Sequence, residues 1–274
     1  MPFRTLELSD PRFAFEGLRW ATVKSDALQG RADVTLFIPP EVLGRSDVPL
    51  VILLHGVYGS HWAWAMKGGA HRTASRMMAA GQIPPMVLAM PSDGLWGDGS
   101  GYVRHAVQDF GQWIVEEVPE VAREAAPAVS DRSPLFLAGL SMGGFGALRL
   151  GATHPGRFRA VSGHSSVTRA EALQAYIVEE CADWSRHPED RSVLEAMRCF
   201  RDRLPAIRFD CGTEDPWISA NRELHEALEG EGIPHHYEEF PGGHTWEYWE
   251  RHLSDSLQFF ADCLAFTPRQ RQKC

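Results

Sequence analysis

The hexapeptide GLSMGG (139–144) sets Ser141 among glycines directly after the apolar run PLFLA. Gly139-Leu-Ser141-Met-Gly143 fits the pattern G-x-S-x-G, and its setting is the one that gives the pattern meaning: a strand, a sharp turn and a following helix, GFGALRLGATHP. A β-carbon two residues to either side of the serine would collide with a neighbouring strand or helix. The helix N-terminus offers free N–H groups where an oxyanion would develop. A serine hydroxyl is a weak nucleophile alone, so this reading needs a base and a carboxylate to orient it. On such an architecture they follow in the order acid, then histidine, each after a later strand. CGTEDPW supplies Asp215 and FPGGHTW supplies His244. Glu214 is the rival acid, and Asp215 is preferred because the Gly212-Thr213 turn should carry the chain round before the carboxylate faces the histidine. Among the other histidines, His164, His235, His236 and His252 are nearest in sequence, but His244 alone sits in a Gly-Gly-His turn after the last strand. The oxyanion needs two N–H donors. The backbone of Met142 is one, and the backbone of Val57 in HGVYGS is the simplest second, with His55 organising that loop.

These residues need a scaffold that brings three strand ends together. Apolar runs of strand length recur at 51–56, 86–91, 135–141, 158–165, 207–215 and 235–244, separated by amphipathic stretches. Continuous apolar character indicates strands covered on both faces. In 104–126 the residues Val107, Phe110, Ile114, Val118 and Val121 form one helical stripe, and 217–231 and 245–264 behave similarly. Two β-like stretches at 18–28 and 31–40 suit an antiparallel pair. The expected fold is therefore α/β: a mostly parallel, doubly wound sheet with antiparallel N-terminal strands, in a single domain over 1–274. The segment 166–205 is longer than one crossover helix needs and reads as a helical insertion, a candidate lid. The tail 265–274, with basic PRQRQKC, is expected to fray.

Composition excludes several classes. The net charge of −9 over 274 residues disfavours nucleic acid or an anionic membrane as the main partner. No stretch approaches the apolar length of a membrane span, and the N-terminus lacks the apolar core of a secretory signal, which points to the cytoplasm. The cysteines Cys181, Cys199, Cys211, Cys263 and Cys274 are too widely spaced for a metal or redox pair and suit reduced thiols. No His/Asp/Glu spacing suggests a metal site; His235 and His236 would point to opposite faces of a strand.

LLHGVYGSHWAW, MPSDGLWGDG, LAGLSMGGFGALRLG, CGTEDPW and PGGHTWEYW resemble the α/β-hydrolase esterases of the esterase D and antigen 85 kind, a group that includes tributyrin and feruloyl esterases, formylglutathione hydrolases and mycolyltransferases. The likeness runs from about residue 30 to 262, in the right order. It implies a serine carboxylesterase working through an acyl-enzyme, with Ser141 as nucleophile, Asp215 as acid, His244 as base, Val57 and Met142 as oxyanion donors, and no metal or cofactor. LLHGVYGS stands where formylglutathione hydrolases carry an LSGLTC-like loop, which points instead to the general carboxylesterase branch and to esters of small or aromatic acids. Acyl transfer or thioester hydrolysis by the same triad is the alternative, followed by a non-catalytic binding protein of this fold. Trp62, Trp64, Trp96 and Trp217 follow the proposed turns and are candidate substrate contacts. Trp246 and Trp249 could line the same mouth or belong to the core, as Trp113 does on this reading. Asp93 and Asp98 suit either a polar leaving group or a glycine-rich turn.

Overall fold

A computed structural model describes residues 3–265. Its centre is a nine-stranded sheet in the order β1-β2-β3-β5-β4-β6-β7-β8-β9. The strands are β1 Phe3–Leu8, β2 Leu18–Ser25, β3 Arg31–Phe37, β4 Leu50–Leu54, β5 Val87–Pro91, β6 Leu135–Leu140, β7 Ala160–His164, β8 Ala206–Gly212 and β9 His236–Phe240. The pairs β1/β2, β2/β3 and β3/β5 are antiparallel, and every pair from β5/β4 to β8/β9 is parallel. The helices are α1 Ala63–Met66, α2 Ala70–Ala79, α3 Phe110–Gln112, α4 Val118–Ala125, α5 Met142–Thr153, α6 Pro188–Arg191, α7 Val193–Cys199, α8 Ile218–Gly230 and α9 Trp246–Ala265. This is an α/β-hydrolase fold.

The uninterrupted apolar strands divide their side chains between two cores, as the two-residue repeat of a strand requires. Leu50, Ile52 and Leu54 of β4 join Leu135 and Leu137 of β6 under α4, α5 and α8. Val51 and Leu53 join Phe136 and Ala138 on the opposite face, under α2 and α9. Each such leucine, fully removed from water, contributes roughly 2 kcal/mol. Both cores close around the middle of the sheet and hold the carboxyl ends of β6, β8 and β9 at the same edge, with β7 between β6 and β8.

Three details differ from the sequence expectations. β1 was not foreseen: it is an edge strand whose residues Arg4, Thr5 and Glu7 are exposed. The helix expected from 104 begins only at Phe110, because the Asp109 side chain caps it by accepting from the Gln112 N–H at 2.8 Å. Val107 therefore leaves the stripe and is 80% exposed; the helix then runs through a π-turn over Trp113–Glu117 before α4. The insertion over 166–205 carries short 3-10 turns (Ala170–Ala175, Cys181–Asp183, Arg201–Arg203) besides α6 and α7. The expected frayed tail falls on residues that, after Ala265 at the end of α9, lie outside those described.

Candidate active site

The chain leaves β6 and turns into α5 at Ser141, whose backbone takes the unusual values φ 54° and ψ −118°. This conformation is strained for a residue with a side chain, and it needs close backbone approach on both sides. A β-carbon at Gly139 would lie 2.2 Å from the Gly143 carbonyl oxygen, and one at Gly143 would lie 2.3 Å from that of Leu54. Only glycine fits either position.

β8 and β9 deliver the partners. After Gly212 the chain folds back, with Thr213 donating to the Phe240 carbonyl at 2.8 Å and Glu214 to that of Gly242 at 2.9 Å. Glu214 is left exposed, whereas Asp215 is buried at 2% exposure. Asp215 Oδ1 accepts from the Trp217 backbone N–H at 2.8 Å, leaving Oδ2 2.8 Å from His244 Nδ1. His244 Nε2 in turn lies 3.0 Å from Ser141 Oγ. A carboxylate can only accept, so Nδ1 carries the ring proton and Nε2 is free to receive the serine proton. The array can thus deprotonate an alcohol and stabilise the resulting imidazolium.

The loop after β4 is fixed from several sides. His55 Nε2 accepts from the Asp93 backbone N–H at 3.0 Å, so its Nδ1–H donates to the Gly56 carbonyl at 2.7 Å. Tyr102 donates its hydroxyl to the His55 carbonyl at 3.0 Å, and the Tyr58 N–H donates to the Asp98 carbonyl at 2.9 Å. Val57 between them lines the same cavity as Ser141. Met142 is the first residue of α5, where a backbone N–H has no acceptor within the helix. Asp93 serves as a turn residue, accepting from Leu95 and Ser100 at 3.0 and 2.7 Å. Burial pushes the Cys211 thiol far above its ordinary range, with Asp215 and Asp210 adding to the effect, so it offers no thiolate.

The sequence profile of the Esterase family, described as "Putative esterase", matches residues 25–260. The chain belongs to this family. It is a serine hydrolase of the esterase D type acting on carboxylic esters. An acetyl esterase from Caldicellulosiruptor saccharolyticus is 25% identical over 234 residues, covering 78% of this chain and 84% of that protein. An S-formylglutathione hydrolase from Paracoccus denitrificans is 24% identical over 258 residues, covering 84% and 87% respectively. Among solved structures, a ferulic acid esterase superposes with a TM-score of 0.77 at 26% identity, covering 95% of this chain and 99% of that one. Among the described residues, no helix is long and apolar enough to cross a membrane, and no group of three or more His, Cys, Asp or Glu could hold a metal ion.

Ser141 and His244 of the esterase face a cavity of about 300 Å³. Of the four tryptophans singled out by sequence position, Trp62 and Trp217 line it; Trp64 and Trp96 do not. Trp64 is buried behind the wall, donating its indole N–H to the Leu54 carbonyl at 2.9 Å and meeting Trp246 edge-on at 5.7 Å. Trp96 packs against His105 and Trp184, with ring centroids 4.5 and 6.1 Å away. Trp246 and Trp249 take their place on the wall, and Trp249 meets the His244 ring edge-on at 4.9 Å. Sequence reasoning missed Tyr58, Lys67 and Tyr176, which also border the cavity. Tyr58 donates its hydroxyl to the Tyr176 carbonyl, and Asp98 Oδ2 accepts from the Val178 N–H at 3.1 Å, so the insertion is joined to the loops after β4 and β5. Neither link carries a signal in the sequence.

Proposed function

We propose that the esterase hydrolyses esters of small or aromatic carboxylic acids through a covalent acyl-enzyme. The observation that carries this reading is the 3.0 Å approach of His244 Nε2 to Ser141 Oγ at the floor of an aromatic-walled cavity. His244 takes the Ser141 proton as Oγ attacks the ester carbonyl, and the negative charge on the former carbonyl oxygen is met by the Val57 and Met142 N–H groups. The tetrahedral intermediate collapses, the alcohol leaves with the proton from His244, and the acyl group remains on Oγ. Water then attacks that ester with His244 again as base, and the acid leaves as Ser141 regains its proton. Asp215 holds the imidazole in the tautomer this sequence needs.

The cavity of about 300 Å³ is at the small end for ligand sites, which supports short acyl or single-ring substrates. Trp62, Trp217, Trp246 and Trp249 offer ring faces and edges for an aromatic group. The names of the acetyl esterase and the ferulic acid esterase are consistent with both ends of this range. Hydrolysis of 4-nitrophenyl acetate, butyrate and octanoate and of methyl ferulate, with Ser141→Ala as control, tests the reading. The expected ranking places acetate, butyrate or ferulate above octanoate, with activity abolished in the variant. Activity surviving in Ser141→Ala, or octanoate ranked first, contradicts it. Replacing Trp62 by alanine should lower ferulate relative to acetate turnover severalfold, and replacing Trp96 should not.

A further inference from the structure

The cavity beside Ser141 is bordered by one lysine, the exposed Lys67. Lys67 follows α1 and borders the same space as Ser141, His244, Trp62 and Trp246. Its Nζ lies 5.3 Å from the centre of the Trp246 ring, a cation–π contact that holds the ammonium on the cavity wall. Among the described residues, no carboxylate lies within 4.0 Å of it.

Lys67 also borders a second cavity, of about 330 Å³, with His71, Arg72, Arg76 and Glu250. Arg72 and His71 are both engaged by Glu16, at 2.8 Å each. Arg76 reaches the Thr73 hydroxyl at 3.4 Å and, among the described residues, no carboxylate. Lys67, Arg72 and Arg76 against Glu16 and Glu250 leave one positive charge in excess, on a chain whose net charge is −9. A neutral substrate that covered Lys67 would strip water from an unpaired ammonium and offer nothing in return. An anionic substrate would form a charge-assisted hydrogen bond there. An unpaired cation on an apolar wall therefore discriminates between the two.

We infer that Lys67 is a specificity-determining residue that selects ester substrates bearing an anionic group in addition to the scissile ester, with Arg76 available to longer ones. The inference rests on the proposed serine-esterase reading and names the substrate class of that site. Two matched pairs of esters test it. 4-Nitrophenyl hydrogen glutarate against 4-nitrophenyl valerate puts the anion on the acyl part; 4-acetoxybenzoate against 4-acetoxybenzamide puts it on the departing alcohol. The readout is the anionic-to-neutral ratio of kcat/KM in the wild type, Lys67→Gln and Lys67→Arg. In one pair the ratio should fall roughly five- to tenfold in Lys67→Gln, return in Lys67→Arg, and shrink in the wild type as salt is raised. The responding pair tells which side of the ester carries the anion. Unchanged ratios in both pairs, with the neutral esters still turned over, overturn the inference alone. A wild type inactive on all four esters overturns the serine-esterase reading and this inference with it.

Discussion

Two Ser–His–Asp arrays occur among the described residues, and the proposed function assigns the reaction to one of them. In the open array Ser141 Oγ lies 3.0 Å from His244 Nε2 and His244 Nδ1 lies 2.8 Å from Asp215 Oδ2. In the sealed array Ser256 Oγ lies 2.8 Å from His164 Nε2, and His164 Nδ1 lies 2.8 Å from Asp210 Oδ2 without the alignment of a hydrogen bond. The distances nearly coincide, but the surroundings do not. The His244 side chain is 27% exposed to a cavity, whereas Ser256, His164 and Asp210 are all wholly buried. Ser256 lies within the long helix α9 and shares its hydroxyl with Ser162 at 2.7 Å, while Ser141 stands on a strained turn at the mouth of a helix. Asp210 is further occupied by Arg208 and by the Tyr248 hydroxyl at 2.8 Å. The backbone joins the arrays, since the Ser141 N–H donates to the His164 carbonyl at 2.9 Å. Triad distances alone therefore do not make a nucleophile. On the proposed reading, access, a strained elbow and free amide donors set Ser141 apart.

The sharpest contrast between the arrays is in rate. Ser141→Ala should cost at least about 10⁴-fold in kcat, and Asp215→Asn a similar factor by imposing the wrong histidine tautomer, as steady-state hydrolysis of 4-nitrophenyl esters would measure. Asp210→Asn should act on stability instead. It removes one of the carboxylates that buried Arg208 is paired with and leaves Glu238, 2.9 Å away, at a cost of about 2 kcal/mol measurable by urea unfolding, while the folded fraction still hydrolyses esters.

The same aspartate sets a pH dependence. Burial alone would raise the Asp210 carboxyl, but His164 and Arg208 outweigh it and hold the group well below the ordinary carboxylate range. A carboxyl depressed on folding contributes stability that is complete above its unfolded value of about 3.9 and is lost as pH falls toward the folded one. Unfolding midpoints of the wild type should therefore drop steeply below about pH 4, and those of Asp210→Asn more shallowly. Ser256→Ala should have the smallest effect, about 1 kcal/mol in stability with kcat unchanged. A large loss of rate there would break the distinction between the arrays.

The open array was legible in the sequence because each member follows a strand at a glycine: Gly139 and Gly143 around Ser141, Gly212 before Asp215, Gly242 and Gly243 before His244. The apolar runs that became β4 to β8 were legible for the same physical reason, since strands covered on both faces must be apolar throughout. β1 was not, because an edge strand with Arg4, Thr5 and Glu7 exposed looks like a strand only once β2 pairs with it. The cavity wall was not either. Trp62 and Trp64 are two residues apart, yet one faces the cavity and the other the core, where Trp64 meets Trp246 and donates to the Leu54 carbonyl. Lys67 and Tyr176 carry no local pattern at all; they reach the cavity because α1 and the insertion fold over it. The sealed array was hidden for a related reason, as Ser256 is one polar residue in an amphipathic helix until β7 and β8 come to lie beneath it.

The most direct test is labelling with a fluorophosphonate, followed by identification of the modified peptide. One label per chain is expected, on Ser141, absent from Ser141→Ala and undiminished in Ser256→Ala. A label that persists in Ser141→Ala, or that maps to another serine, would contradict the assignment of the reactive hydroxyl to the open array.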